Sequence, residues 1–186
     1  MSCRWLTLRA AGLTVPTAPR IRIETPTLRH ATAFLAAVAR SPHVHGGWVS
    51  PPATRQAYRR FVTRLQNPAL RGHLVLTASG ELAGVILITE IVRGLFNSGY
   101  LGYYAFAPHD RQGYMRAGLA RVIRRAFSEY RLHRLEANIQ PANAPSIALV
   151  RALGFRQEGY SPRYLKIGGR WRDHERWALT REEWRR

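Results

Sequence analysis

The segment Tyr104-Ala-Phe-Ala-Pro-His-Asp-Arg-Gln-Gly-Tyr-Met-Arg116 joins an apolar strand pattern to a long helical pattern. The strand pattern breaks at Pro108, a short polar loop follows, and the helix opens near Gly113. Free backbone N–H groups at a helix start, together with the helix dipole, form a cradle for an anion such as a phosphate. Gly113 would let the backbone approach a phosphate closely, and Arg111 and Arg116 add positive charge. A plain strand-to-helix turn would also contain one glycine, and the spacing matches neither the P-loop nor the Rossmann fingerprint.

Sequence patterns on both sides of this segment predict an α/β domain with a mixed, mostly antiparallel sheet. Alternating or continuous apolar runs predict strands at 20–24, 73–78, 82–91, 99–107, 132–139, 155–159, 164–167 and 176–179. Apolar residues at helical spacing predict four helices at 28–40, 54–66, 113–130 and 145–153, with residues 42–52 as a loop. This order places a βαβ unit at the centre of the sheet. Residues 20–186 are expected to form one domain, and residues 1–19, which contain prolines, an irregular arm.

Arginine dominates the charge of the chain. The 186 residues carry a formal net charge of +18, and Lys166 is the only lysine among 29 basic side chains. This charge favours phosphate-rich partners such as nucleic acid, although a general bias towards arginine with solvated charges would give the same count. The single cysteine, Cys3, excludes an internal disulfide and a cysteine zinc cage, and no metal site is predicted. The apolar run at 82–88 is too short to cross a bilayer, so a cytoplasmic protein with no membrane partner is expected.

A second informative segment runs from Asn138 to Phe155, one predicted strand after the first. Together the two segments resemble the GNAT superfamily of acetyl-CoA-dependent N-acetyltransferases. The resemblance to its second cofactor motif rests on Asn143-x-x-Ser146 followed by Leu153-Gly154-Phe155. A narrower resemblance, to the ribosomal-protein alanine N-acetyltransferases of the RimJ/RimL type, rests on Val92-Arg93-Gly94, Leu101-Gly102-Tyr103, Glu158-Gly-Tyr160 and Gly169-Arg-Trp-Arg-Asp-His174. The resemblance covers about residues 20–184.

The resemblance implies a sheet splayed into a V between strands 100–107 and 132–139, with acetyl-CoA lying in the V. Its pantetheine would follow the backbone of Tyr104, Ala105 and Phe106, and Asn143 would reach this arm or simply cap a helix. The pyrophosphate would lie on Arg111, Gln112, Gly113, Tyr114, Met115 and Arg116. The family's loop usually reads Gln/Arg-x-x-Gly-x-Gly/Ala, whereas Asp110 and Met115 occupy its first and last places here. Asp110 either places a carboxylate beside the pyrophosphate or caps the following helix.

The resemblance also implies direct attack of an amine on the thioester within a ternary complex. Ser146 is the candidate acid for the leaving thiolate and a candidate contact to acetyl-CoA, or only a residue of the helix start. Glu90 ends an apolar run where burial is expected, and Glu136 lies within a predicted strand. Either glutamate is a candidate base, because an α-amino group with a pKa of about 7.7–8.0 needs only modest help at neutral pH. Either could instead pair with one of the many arginines.

Trp48, Arg93 and Tyr164 are the candidate acceptor-binding residues. The favoured acceptor is the N-terminal α-amine of Ala or Ser in a protein, possibly ribosomal, with the enzyme a monomer or homodimer. One alternative is a small amine such as a polyamine, which would favour an acidic groove that a chain with 11 acids can hardly line. The other is a non-catalytic basic module that binds RNA or ribosomal particles.

Overall fold

One mixed sheet runs through the computed structural model, which describes residues 18–184. Its strands are β1 (Ile21–Glu24), β2 (Arg71–Thr77), β3 (Leu82–Val92), β4 (Ser98–Ala105), β5 (Arg134–Ile139), β6 (Arg156–Ile167) and β7 (Arg170–Thr180). The helices within the same range are α1 (Ala31–Arg40), α2 (Pro42–His45), α3 (Arg55–Arg64), α4 (Tyr114–Ser128) and α5 (Ala144–Ala152). The predicted mixed α/β fold is confirmed. The arm predicted for residues 1–19 lies outside the described residues except for its last two.

The sheet order is β1-β2-β3-β4-β5-β7-β6, and only the β4–β5 pair is parallel. β4 and β5 pair over three residues, the last being Tyr100 opposite Glu136. Beyond this point β4 continues to Ala105 and β5 to Ile139 with no further paired residues. The two central strands therefore diverge, as the predicted V requires.

Apolar cores cover both faces of the sheet. On one face, α4 buries a stripe of apolar residues against β1, β2 and β3: Leu119, Val122, Ile123, Ala126 and Phe127. Gly118 belongs to the same stripe, and a Cβ at this position would lie 2.7 Å from Val75 Cγ2, so glycine allows α4 to approach the sheet closely. On the other face, Phe34 of α1 and Tyr58 and Phe61 of α3 pack against β2 and β3.

Three predictions about element boundaries differ from the structure. The predicted loop at 42–52 begins with the short helix α2, whose first residue Pro42 suits a helix start. The predicted strands at 155–159 and 164–167 are one long strand, β6, in which Ser161-Pro162 causes a register shift rather than a break. The turn at Gly168-Gly169 makes β6 and β7 a hairpin, so the last strand starts at Arg170 and not at 176.

Candidate active site

A cavity of 1110 Å³ opens between the diverging ends of β4 and β5. One end is lined by the loop before α4 and the start of that helix: His109, Asp110, Arg111, Gly113, Met115 and Arg116. The middle is lined by β4, β5 and the start of α5: Tyr103, Tyr104, Ala105, Asn138, Asn143 and Ser146. The other end is lined by α2, the loop after it, the end of β3 and the β6–β7 hairpin: His43, His45, Trp48, Glu90, Tyr164 and His174.

The start of α4 has the features of an anion cradle. Gly113 precedes the helix in the left-handed conformation (φ 84°), and no side chain of residues 18–184 caps the helix start. The first intrahelical bond runs from Ala117 N–H to the Gly113 carbonyl, which leaves the N–H groups of the first turn outside the helical ladder. Arg111 and Arg116 line the cavity at this end. Exposed amides, a helix dipole and two guanidinium groups suit a pyrophosphate.

The two unusual residues of this loop have different structural outcomes. The suggested capping role of Asp110 is wrong, because Gly113 occupies the cap position and no side chain bonds there. Asp110 lines the cavity instead. Met115 packs where Gly84 lacks a side chain, since a Cβ on Gly84 would lie 2.2 Å from Met115 Sδ. Gly84 therefore accommodates the larger residue at the last position of the loop.

The middle of the cavity offers backbone and side-chain groups suited to a pantetheine arm. Phe106 N–H donates to the Ala83 carbonyl, so the alternation of an antiparallel pair turns the backbone groups of Ala105 and Tyr103 away from β3, towards the V. Asn138 Oδ1 is buried in the cavity wall with no hydrogen-bond partner among the described residues. Pantetheine carries amide N–H groups, which could donate hydrogen bonds to such acceptors. The residues of the site therefore fit acetyl-CoA.

His45, on the acceptor side, is tied to the same strand. Its Nε2 donates to the Ala105 carbonyl over 3.1 Å, and its ring stands edge-on to Tyr104 and Phe106. Burial lowers the pKa of His45, and the bond to the Ala105 carbonyl partly opposes this. His45 is therefore a neutral wall residue at neutral pH.

Asn143 and Ser146 meet at the start of α5. The Asn143 side chain caps the helix by accepting from Ser146 N–H over 3.2 Å, which is the capping role foreseen for it. Ser146 Oγ lies 2.7 Å from the hydroxyl of Tyr103. Burial raises the pKa of Tyr103 to about 12, and the bond to Ser146 acts in the opposite direction. Both Ser146 and Asn143 line the cavity.

Glu90 occupies a backbone irregularity at the acceptor end. The pairing of β3 with β4 shifts register between Thr89 and Val92, and Glu90 there has a positive φ of 48°. Such bulges redirect a side chain from its regular place in a strand, and Glu90 lines the cavity. The expected burial of Glu90 is wrong, because the bulge leaves it exposed to solvent.

Several predicted site residues lie outside the cavity wall. Glu136 is one of them: its Oε1 lies 2.8 Å from Nε of Arg134, which also binds Glu158. Arg93 donates to the Tyr130 carbonyl beyond the end of α4. Three loop side chains pack elsewhere: Phe106 in the α1–α3 core, Gln112 on the Pro108 carbonyl and Tyr114 against His109. The structure thus gathers Glu90 and Ser146, but not Glu136 or Arg93, around one cavity.

Tyr103, Asn138 and His174 line the site. No role is predicted from the sequence for Tyr103 or Asn138, whereas His174 ends one of the segments that resemble the RimJ/RimL type. Strand alternation places Tyr103 on the face opposite to its neighbour Tyr104, so the signal for Tyr103 was present in the pattern. His174 is buried near the Tyr164 ring, with its Nδ1 donating to the Arg172 carbonyl, and burial lowers its pKa. His174 reaches the cavity through the long β6–β7 hairpin.

The family of the chain follows from its sequence together with this geometry. Residues 20–156 match the model of the acetyltransferase (GNAT) domain. The chain belongs to the GNAT acetyltransferase family, whose members use acetyl-CoA. None of the helices in residues 18–184 has both the length and the hydropathy needed to span a bilayer. Those residues also contain no group of three His, Cys, Asp or Glu side chains that could hold a metal ion.

Known proteins similar to the chain include protein and polyamine acetyltransferases. The chain is 40% identical to the ribosomal protein uS5 alanine N-acetyltransferase of Escherichia coli over 104 residues, 56% of this chain and 54% of that protein. It therefore matches about half the length of that relative. RimJ from Mycobacterium smegmatis, solved with CoA-disulfide, superposes with a TM-score of 0.81 at 26% identity, covering 89% of this chain and 84% of that chain. A spermidine N-acetyltransferase from Vibrio cholerae, solved with CoA and spermine, shares the fold with a TM-score of 0.74 at 18% identity, covering 88% and 97%.

Proposed function

We propose that this enzyme transfers an acetyl group to the N-terminal α-amine of a protein that begins with Ala or Ser, with a ribosomal protein as the favoured acceptor. The sequence similarity to the E. coli uS5 alanine acetyltransferase supports this acceptor class. The oligomeric state, monomer or homodimer, stays a prediction.

The observation that carries the proposal is the charge of the acceptor end of the cavity. Among the described residues that line the cavity, Glu90 is the only carboxylate at that end, and Asp110 is on the loop before α4. The remaining described side chains at the acceptor end carry no carboxylate, and they include aromatic groups such as Trp48 and Tyr164. A polyamine carries several ammonium groups and would need several carboxylates. One carboxylate in an aromatic pocket suits an acceptor with a single amine and a small side chain.

The residues of the chain then take distinct roles. The cradle at Arg111–Arg116 holds the pyrophosphate, and the V-facing backbone of Tyr103 and Ala105 orients the pantetheine. Bound acetyl-CoA would supply the activated acetyl group as a thioester. Glu90 accepts the proton of the acceptor amine through water, which its exposed position allows. Ser146 gives its hydroxyl proton to the leaving sulfur.

The chain also offers a surface for contact with nucleic acid near such an acceptor. Residues 25–80 contain no Asp or Glu, and α3 exposes Arg55, Arg59, Arg60 and Arg64. Arg55 and Arg59, like Arg60 and Arg64, are four residues apart and repel each other along the helix. Phosphate groups would neutralise these charges. We propose that α3 makes non-specific contacts to RNA when the acceptor is part of a ribosomal particle.

A direct test of the acceptor class uses acetyl-CoA and short peptides. Peptides that begin with Ala or Ser and contain an internal Lys are compared with N-formylated copies and with spermidine, and mass spectrometry locates the acetyl group. Acetylation confined to the free α-amine is expected. Acetylation of the internal Lys, or faster turnover of spermidine, would overturn the proposed acceptor while leaving the family assignment in place.

A further inference from the structure

Tyr103 and Ser146 form a hydroxyl pair in the wall of the cavity. Tyr103 projects from β4 where that strand has diverged from β5, and Ser146 lies in the first turn of α5. Their hydroxyl oxygens are 2.7 Å apart. The Asn143 cap fixes the backbone of Ser146, so both ends of this hydrogen bond belong to ordered elements.

The two possible directions of this hydrogen bond have different chemical consequences. A serine hydroxyl has a single proton to donate. If Ser146 donates to Tyr103, that proton is used inside the wall and none is available to the cavity. If Tyr103 donates to Ser146, the proton of Ser146 is free to point into the cavity. Only the second arrangement lets Ser146 serve as an acid.

The surroundings of Tyr103 favour the second arrangement. Besides Ser146 Oγ, its hydroxyl contacts the Ser146 carbonyl at 3.5 Å, at the limit of a hydrogen bond. Burial keeps the phenol protonated throughout the neutral range, since its pKa is about 12. A half-buried phenol that donates to no good acceptor would lose a hydrogen bond, and Ser146 Oγ lies within reach as an acceptor.

We propose that Tyr103 is a positioning residue that donates its hydroxyl proton to Ser146 Oγ and so directs the Ser146 proton to the sulfur of CoA. This inference rests on the proposed function, in which Ser146 is the acid. As the bond from the amine nitrogen to the acetyl carbon forms, the C–S bond breaks and its electron pair passes to sulfur. Sulfur takes the Ser146 proton, and Ser146 regains a proton from solvent water. The proton released by the amine passes through water to Glu90, which returns it to solvent. Tyr103 keeps its own proton throughout.

The first test needs no acceptor and no turnover. The acid dissociation constant of the CoA thiol is measured in the complex from the ultraviolet absorbance of the thiolate as the pH rises. A donor aimed at sulfur stabilises the thiolate, so we expect the bound thiol to be about tenfold more acidic in the native enzyme than in Tyr103→Phe. Ser146→Ala should lose the same factor, and the double variant should lose no more than either single one.

Tyr58→Phe is the matched control for this experiment. Tyr58 is also buried with a raised pKa of about 12, and its hydroxyl donates to the Thr27 carbonyl over 3.0 Å, but it lies in the α1–α3 core. Tyr58→Phe should leave the acidity of the bound thiol unchanged. Ser146→Thr, which keeps a hydroxyl, should retain native acidity and tests the same pair if Tyr103→Phe does not fold.

Steady-state kinetics supply the second test. Tyr103→Phe should lower kcat at least tenfold, with the KM values for acetyl-CoA and peptide nearly unchanged, because positioning acts on the breaking C–S bond. Native thiol acidity in Tyr103→Phe, or separate and additive effects of Tyr103→Phe and Ser146→Ala, would overturn the inference. Absence of turnover with every peptide would instead overturn the proposed function, because the thiol titration does not depend on the acceptor.

Discussion

At the scale of single residues, the chemistry depends on a few exceptions to regular structure. Glu90 reaches the cavity because β3 is irregular there, and Gly113 leaves the start of α4 uncovered because it has a positive φ. Met115 fits beside the cradle because Gly84 has no side chain. Each exception places a functional group where a regular strand or helix would not.

Glu90→Gln tests the base directly. The amide keeps the size of the side chain but cannot accept the proton of the amine, so we expect kcat to fall about 100-fold with acetyl-CoA affinity unchanged. Initial rates with an Ala-peptide and calorimetry with acetyl-CoA give the two quantities. Glu136→Gln is the matched control, because Glu136 is bound to Arg134 outside the cavity wall, and its rate should stay near native. A larger loss in Glu136→Gln than in Glu90→Gln would transfer the role of base to Glu136.

Gly113→Ala tests the cradle. A Cβ at φ 84°, which would lie 3.4 Å from Pro19 Cδ, strains the backbone, so the turn that presents the first amides of α4 must shift. We expect acetyl-CoA affinity to fall at least tenfold by calorimetry. Gly168→Ala shares the positive φ but lies in the β6–β7 turn with open space around it. Gly168→Ala should lower the free energy of unfolding by a similar amount and leave the affinity for acetyl-CoA unchanged. An equal loss of acetyl-CoA affinity in both variants would refute a specific role for Gly113.

At the scale of elements, the sequence predicted the strands and helices that form the V, because their apolar periodicity is long and uninterrupted. It failed where local and tertiary signals disagree. Ser161-Pro162 resembles a strand break, but pairing with β7 carries β6 through it with a register shift. Glu136 lies in a strand where a catalytic base was predicted, but its ion pair with Arg134 holds the side chain outside the cavity wall. Side-chain partners that come from distant segments, such as Ser146 for Tyr103, have no signature in the local sequence.

Gly118→Ala tests the contact between α4 and the sheet. Replacing this glycine by alanine gains up to about 1 kcal/mol of helix propensity. The new Cβ, however, would lie 2.7 Å from Val75 Cγ2. Overpacking of this kind costs about 1–3 kcal/mol, so we expect a net loss of stability in urea denaturation. Ser128→Ala, at the exposed end of the same helix, should change stability by less than about 0.5 kcal/mol. A stabilised Gly118→Ala would show that Val75 yields to the added methyl group.

At the scale of the whole molecule, stability should depend on pH through a buried histidine. Burial, with Arg125 and Arg71 nearby, lowers the pKa of His73 from 6.5 to about 4. Between pH 6.5 and 4, the unfolded chain binds a proton at His73 that the folded chain does not bind. The contribution of neutral His73 to the free energy of unfolding is therefore complete above pH 6.5 and is lost as the pH falls towards 4. The full effect is about 3 kcal/mol. Urea denaturation from pH 7.5 to 4.5 should show a smaller loss for His73→Leu than for the native chain, and equal losses would exclude His73 as the cause.

With a net charge of +18, the whole molecule attracts RNA, so the last prediction separates contacts made by α3 from the effect of the total charge. If α3 contacts phosphates, Arg59→Gln combined with Arg60→Gln should weaken binding to single-stranded RNA and lower the slope of log affinity against log salt by about 1.4, or 0.7 for each lost contact. Arg170→Gln combined with Arg172→Gln removes the same charge from exposed positions of β7, near Asp173 and Glu175. Fluorescence anisotropy over a salt series compares the two double variants at equal net charge. Equal losses would show that only the total charge attracts RNA, whereas a loss confined to the α3 variant would identify that helix as the contact surface.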